Sequence, residues 1–263
     1  MAIGKKKTAD VGAVTEVAEV LRVEKGTLDM FLLGTTPIIF NRMSEKINRE
    51  LLMPRKKTAI DRATNLKHRP IEEFQASPYR VGDETFPTLL AHLATAFKGA
   101  MMSAAIDLGA KRAQIGRWVT VKGDMVGIYG VPQLLMSVVR SADMNRTPDI
   151  RSRAIVRDWC CRVSVEYTKP MMRPQAVANL MAGAGVIAGV GDWRTEKGKG
   201  SYGQFEIVGE DDPRYRAIVK AGGRKAQAEA MKNPTAYDDE TSALLSWFEQ
   251  ELADRKLKGS VAA

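Results

Sequence analysis

The sequence predicts an α+β fold: an antiparallel sheet with helices on one face. Three patterns predict it. From Cys161 to Tyr167 the residues alternate Cys, Val, Val, Tyr against Arg, Ser, Glu, the period of a half-buried strand. Two segments with apolar residues at helical spacing, 87–108 and 174–188, each lie between strand patterns. The composition, 44% hydrophobic and 27% charged, is that of a globular chain with a sizeable core.

Residues 1–26 read as a polar N-terminal arm. Thr27–Leu33 reads as the first strand, broken by Gly34-Thr-Thr-Pro37. A basic stretch of about 41–82 follows, without a clear strand, and reads as an insertion; segments of this kind are usually functional or disordered. Pro87–Leu108 is the clearest helix, with Leu89, Leu90, Leu93, Phe97 and Met101 on one side and Pro87 near its start. Asp124–Tyr129 and Gln133–Val139 are short strands, and Trp159–Tyr167 is the strongest. Pro174–Ala188 is a helix, 204–208 a strand, and helices at about 213–231 and 239–257 form a C-terminal extension over 211–263. Without the insertion, residues 27–210 run β-α-β-β-α-β, the ferredoxin-like or RRM-like plan. Such a sheet leaves its second face for single strands to bind by stacking and charge.

The formal net charge is +9, which favours acidic partners. It is uneven. Arg42–Arg69 holds nine Lys or Arg against three Asp or Glu, and Arg140–Arg157 holds five against two. Lys232–Ala263 reverses to four against six. Between the second helix and the last strand lies a glycine-rich loop with glycines at 189, 191, 198, 200 and 203. It lacks the third glycine of a dinucleotide fingerprint, and Lys199 is followed by Gly200 where a P-loop needs Ser or Thr. Both nucleotide-fold readings are rejected. What remains is a cradle in which backbone N–H groups and nearby cations receive phosphates, or a mobile connection whose glycines serve turns.

The candidate nucleic-acid contacts follow from these segments. Lys197, Gly198, Lys199 and Gly200 offer point charges on a pliable backbone, and Arg194 a bidentate grip. Trp193 and Tyr202 are candidate stacking surfaces. Arg55, Lys56 and Lys57 form a backbone-contact cluster in the insertion. Arg151, Arg153 and Arg157 share one face if they lie on a strand, and form a phosphate ladder if that face is open. Of the two histidines, His92 falls within the apolar 89–97 stripe and reads as a packed helix residue. His68, in the basic insertion, is the one candidate for acid–base chemistry, and the reading is non-enzymatic. No motif calls for a metal or other cofactor.

The helix, the Gly189-Val-Gly191 segment, the basic loop with Gly200 and Gly203, and the strand with Tyr202 and Phe205 near its start resemble the C-terminal glycine-rich loop of the RAMP superfamily of CRISPR-associated proteins. The layout is similar to the backbone subunits of Cascade-type complexes. A closer resemblance is to a RAMP-like family of phage and prophage proteins, through Thr35–Ile39, Gly189–Arg194 and Gly203–Phe205. Asp192-Trp193 departs from the basic stretch usual after the second glycine of CRISPR RAMPs. The resemblance implies a single-stranded RNA or DNA partner, head-to-tail homo-oligomers forming a filament, an insertion lying over the strand, and a bacterial host cell. The adjacent Cys160 and Cys161 are poor disulfide partners, and Val177–Val190 is too short to span a bilayer. The expectation is a cytoplasmic protein without membrane contact, its alternatives being a metal-independent RNA endonuclease and a phage structural adaptor.

Overall fold

The structure, a computed structural model, describes residues 21–42, 68–140, 148–197 and 199–260, the last six by backbone alone. Arg55, Lys56, Lys57 and Gly198 lie outside the described residues. Among the described residues, ten strands form three sheets: β1 Glu24–Gly34, β2 Ile38–Ile39, β3 Tyr79–Arg80, β4 Leu90–Leu93, β5 Val119–Val121, β6 Met125–Gly127, β7 Pro132–Arg140, β8 Pro148–Val156, β9 Cys160–Lys169 and β10 Phe205–Val208. The helices are α1 Pro70–Ala76, α2 Ala94–Asp107, α3 Arg112–Trp118, α4 Pro174–Gly183, α5 Pro213–Ala221, α6 Arg224–Lys232 and α7 Asp239–Ser260. Mixed helix and antiparallel sheet bear out the α+β class.

The main sheet runs β10-β1-β9-β5, every neighbour antiparallel. Alternate residues Cys161, Val163, Val165 and Tyr167 of β9 join Met30 and Leu32 of β1, Val119 and Val121 of β5, and Phe205 of β10 in one core. Against that face pack α2, with Phe97, Met101 and Ala104, and α4, with Val177, Leu180 and Met181. The adjacent cysteines separate as a strand requires: Cys161 enters this core, Cys160 the small cluster on the opposite face. Burial pushes both thiols up, Cys160 to about 12, so neither is a nucleophile.

A second sheet, β2-β8-β7, turns Ile38, Leu134, Met136, Ala154 and Val156 to the same core. Its outer face carries Ile39, Leu135 and Ile155, roofed by Tyr202 and Tyr237. The third sheet, β3-β4-β6, closes one end. The expected strands Asp124–Tyr129 and Gln133–Val139 are β6 and β7, in the third and second sheets, and β5, which was not expected, completes the main sheet. Two helix expectations also need correction. The helix expected from Pro87 begins only at Ala94, because 90–93 is strand β4, paired to β6 through Ala91–Gly127. The single helix expected over 213–231 is two, broken at Gly222-Gly223.

One side chain accounts for both. Gln227 is fully buried on α6. Its Oε1 accepts from the Leu89 and Leu90 N–H groups at 2.7 and 3.0 Å. Its Nε2 lies within reach of the Ile128, Gly130 and Gly222 carbonyls at 2.7, 3.0 and 2.9 Å. The amide thus stitches the start of β4, the 128–130 turn and the break between α5 and α6. Gln227→Leu keeps the volume but leaves these backbone groups unpaired, and is expected to lower stability by about 3 kcal/mol or more in urea unfolding.

Candidate nucleic-acid interface

The glycine-rich loop is fastened near both of its ends to the segment 36–39. After α4 the helix widens through Ala184–Ala188, closing with the Gly189 N–H on the Ala184 carbonyl at 2.8 Å. Gly189 and Gly191 then turn the chain at φ of 70° and 88°. The Val190 N–H bonds the Gly203 carbonyl (2.9 Å), the Asp192 N–H the Ile39 carbonyl (2.9 Å), and the Gly203 N–H the Pro37 carbonyl (2.8 Å). The Gln204 N–H bonds Thr36 Oγ1 at 3.0 Å. The two segments singled out in the sequence, 35–39 and 189–205, therefore meet in space. Their glycines allow close backbone contact: a Cβ on Gly191 would lie 2.7 Å from the Ile39 carbonyl oxygen, and one on Gly200 or Gly203 would overlap the Trp193 or Val190 carbonyl. These N–H groups bond the protein's own carbonyls and the Thr36 hydroxyl, so they do not form a free phosphate cradle, nor is this part of the loop an untethered connection.

Arg153, on the outer face of β8, anchors the loop. It is 4% exposed, and burial works against its charge while Asp192 offsets it. Its Nη1 donates to Asp192 Oδ2 at 2.5 Å, the same oxygen that accepts from Asn41 Nδ2 at 3.1 Å. Its guanidinium lies 5.8 Å from the Trp193 ring centroid. Trp193 holds a φ of 51°, the one positive φ outside glycine among the described residues. With Asp192 drawn inward, the indole stands outward, 39% exposed, its ring 6.2 Å from that of Tyr202.

The other expected contacts divide into two groups. Arg194 bonds Glu196 Oε2 at 2.9 Å and the Gly191 carbonyl at 3.2 Å, and Glu196 also takes the Ser103 hydroxyl of α2. The Ser103 bond, then Arg194, hold the Glu196 carboxyl below its usual range. Arg194 and Arg153 are thus occupied in holding the loop. Lys197 and Lys199 are exposed and form no ion pair among the described residues, as is Arg151 on β8. Arg157 lies past the end of β8, stacked 4.5 Å over Tyr237. Tyr237 was not anticipated from the sequence; with Tyr202 it covers the apolar cluster of Ile39, Leu135 and Ile155.

The open face of the main sheet differs from expectation. Lys25 and Lys122 pair with Glu166, Arg162 with Asp29, and Arg214 with Glu206. Helix α5 covers much of the rest, setting Tyr215 edge-on to Phe31 and packing on Leu33 and Cys160. With its charges paired and its apolar positions covered, this face offers no stacking platform. Trp193, Tyr202 and Tyr237, with Arg151 and Arg157, lie at the outer face of the second sheet.

Both histidines are held in place. His68 lies between two carboxylates, Nδ1 at 3.0 Å from Glu73 and Nε2 at 2.9 Å from Asp149. It joins α1 to β8. His92 lies on β4, not on a helix, among Phe40, Tyr79 and Phe97, with its Nδ1 buried and unpartnered. Burial pushes its pKa down to about 4. Among the described residues no three His, Cys, Asp or Glu side chains converge on a point that would hold a metal, and no helix is long and apolar enough to cross a membrane.

No protein-family model and no curated protein matches the chain. Among solved structures it is similar to a chain of the Type III-B Cmr-beta complex bound to cognate target RNA, at 13% identity and a TM-score of 0.37. The match covers 70% of this chain and 59% of that one, so the chain spans under two thirds of its neighbour's length.

Two outcomes follow from this geometry. Asp192→Asn removes the carboxylate facing a buried guanidinium and is expected to cost about 3 kcal/mol; the released Trp193 should become more accessible to iodide quenching. For His92, the unfolded chain takes a proton below about 6.5 and the folded protein only near 4. Its contribution is therefore complete above pH 6.5 and is lost as pH falls toward 4, by up to about 3 kcal/mol. Urea unfolding of the parent and His92→Phe proteins across that window should show the excess slope in the parent alone.

Proposed function

We propose that this protein binds single-stranded nucleic acid, without chemistry of its own, on the outer face of the second sheet. Trp193 and Tyr202 stack bases there, and Lys197, Lys199, Arg151 and Arg157 meet the backbone phosphates. One observation carries the reading: the fold holds an exposed indole in a left-handed backbone conformation, braced from behind by a buried Arg153–Asp192 pair. Backbone strain of this kind costs about 1–3 kcal/mol and persists where the surroundings impose it, which supports a functional role for the displayed ring. Base–aromatic stacking tolerates any sequence, so the binding is expected to be weakly sequence-dependent.

The strand order β10-β1-β9-β5, with α2 and α4 on one face, supports a ferredoxin-like core. With the Gly189–Gly203 loop, it supports a RAMP-like reading in which copies associate along the strand. His68, with both ring nitrogens on carboxylates, supports a binding protein over a nuclease.

The test is fluorescence anisotropy of nucleic-acid-free protein with labelled single-stranded RNA, single-stranded DNA and duplex DNA at two salt concentrations, with electron microscopy of the complexes. Salt-sensitive binding to a single strand is expected. Trp193→Ala should weaken it by about 1–3 kcal/mol with the salt dependence retained, and Lys197→Gln with Lys199→Gln should lower that dependence. Absence of binding at low salt, or binding indifferent to Trp193, overturns the reading.

A further inference from the structure

The C-terminal extension reaches the platform through Tyr237. This residue stands just ahead of α7 and packs with Tyr202 on Ile39, Leu135 and Ile155. Its N–H bonds the Leu134 carbonyl at 2.9 Å, and the Leu134 N–H bonds the Thr235 carbonyl at 2.8 Å. The segment 235–237 therefore lies beside β7 as a parallel bridge at Ala236. Arg157, just past β8, sets its guanidinium carbon 4.5 Å from the Tyr237 ring centroid. Its Nη2 lies 3.4 Å from the Tyr237 carbonyl oxygen. That separation is well inside the roughly 6 Å at which a cation and a ring attract. Arg157 is exposed, and Tyr237 is half-buried.

The segments that carry the pair are held on both sides. After Tyr237, Asp238 Oδ1 accepts the Thr241 N–H at 2.8 Å as α7 begins. Thr241 is fully buried, and its hydroxyl accepts the Met136 N–H of β7 at 3.1 Å. Before Arg157, Val156 is paired with Pro132 of β7 and with Ile38 of β2. Tyr202 shares the apolar cluster with Tyr237, and its ring lies 6.2 Å from that of Trp193. Tyr202 thus connects the Trp193 end of the platform to the Tyr237 end. A guanidinium is planar and weakly hydrated, so a base stacks on its face while its edge donates to phosphate. Lysine carries the same charge without the plane.

We propose that Arg157, backed by Tyr237, is a further base-stacking position for the same single strand, its guanidinium held between a base and the tyrosine ring. This rests on the function proposed above, and it adds a base to the phosphate contact assigned to Arg157 there. It also makes the C-terminal extension a part of the binding surface, since that extension supplies the ring that fixes the guanidinium.

The test compares two probes of equal length at low salt, followed by anisotropy. One is a uniform pyrimidine strand of the polymer the protein binds; the other is the corresponding abasic sugar-phosphate oligomer. The parent, Arg157→Lys, Tyr237→Leu, Tyr237→Phe and Trp193→Ala proteins are titrated with both, with thermal melts as the folding control. Arg157→Lys should weaken binding of the base-bearing strand about fivefold or more, leave abasic binding unchanged and keep the parent salt slope. Tyr237→Leu should lose affinity in the same way, and Tyr237→Phe should bind as the parent does. If the leucine variant melts early, Arg157→Lys alone decides, because its side chain is exposed. Equal losses on both probes assign Arg157 to phosphate alone and overturn the stack. Parent-like binding by Arg157→Lys, while Trp193→Ala is weakened, overturns the stack and leaves the function standing. A parent that binds no strand overturns both.

Discussion

The contact between Arg153 and Asp192 sets the geometry of everything on the outer face of the second sheet. A guanidinium 4% exposed on a strand has lost most of its hydration, and only a carboxylate at close range makes that tolerable. Asp192 supplies it, and in doing so the loop commits its direction. The Asp192 N–H is already on the Ile39 carbonyl, so both ends of the residue point into the protein. The following residue must reverse, and Trp193 does so at positive φ while its carbonyl accepts the Tyr202 N–H at 3.2 Å. The outward indole is thus a consequence of an inward charge. With a basic residue at 192, Arg153 would face a like charge and the loop could not seat here.

The same logic separates the cations into those that build and those that remain available. Arg153 is consumed by Asp192, and Arg194 by Glu196 and the Gly191 carbonyl. Glu196 reaches on to Ser103, so a carboxylate inside a basic loop clasps that loop to α2. These are internal bonds, and counting their charges toward a polyanion partner would overstate the field. Lys197, Lys199, Arg151 and Arg157 are the ones left facing solvent beside the rings, and Asp238 lies close enough to Tyr202 to help raise its pKa, after burial and Tyr237.

How legible this was in the sequence depends on how each residue satisfies its chemistry. The β9 alternation was readable because that strand buries one face and pairs or exposes the other, the condition under which a period of two appears. Of the main sheet, β1, β9 and β10 were readable in this way, whereas β5 was not, and the strands expected at 124–129 and 133–139 belong to the third and second sheets. The second sheet was hidden because β8 breaks the rule that polar means outward: Ser152 and Arg153 are both buried. Strand β4 was hidden because Leu89, Leu90, Leu93 and Phe97 fit a helical spacing as well as the true boundary does. What decides against the helix is an amide 138 residues from Leu89, Gln227, which captures N–H groups that a helix start would also leave free. No local pattern contains that bond. The candidate site followed the same division: Trp193 and Tyr202 were visible as aromatics among glycines, whereas Tyr237 comes from a segment distant in the chain.

The location of the platform also follows from what the main sheet could not keep open. Its outer face holds Phe31, Leu33, Cys160 and Val208, apolar positions of the kind an open sheet offers for stacking, yet α5 packs on them through Tyr215, Ile218 and Val219. The cover is fixed at its start by Asp212, whose carboxylate accepts from the Arg214 and Tyr215 N–H groups. With that face closed, a ring is displayed where its own backbone holds it away from the core, as at Trp193. The loop after α4 provides that condition, because its glycines admit close contact with 35–39 while its one strained residue projects outward. The glycines and the indole are therefore two halves of one arrangement: close packing on the inner side of the loop is what makes display on the outer side rigid.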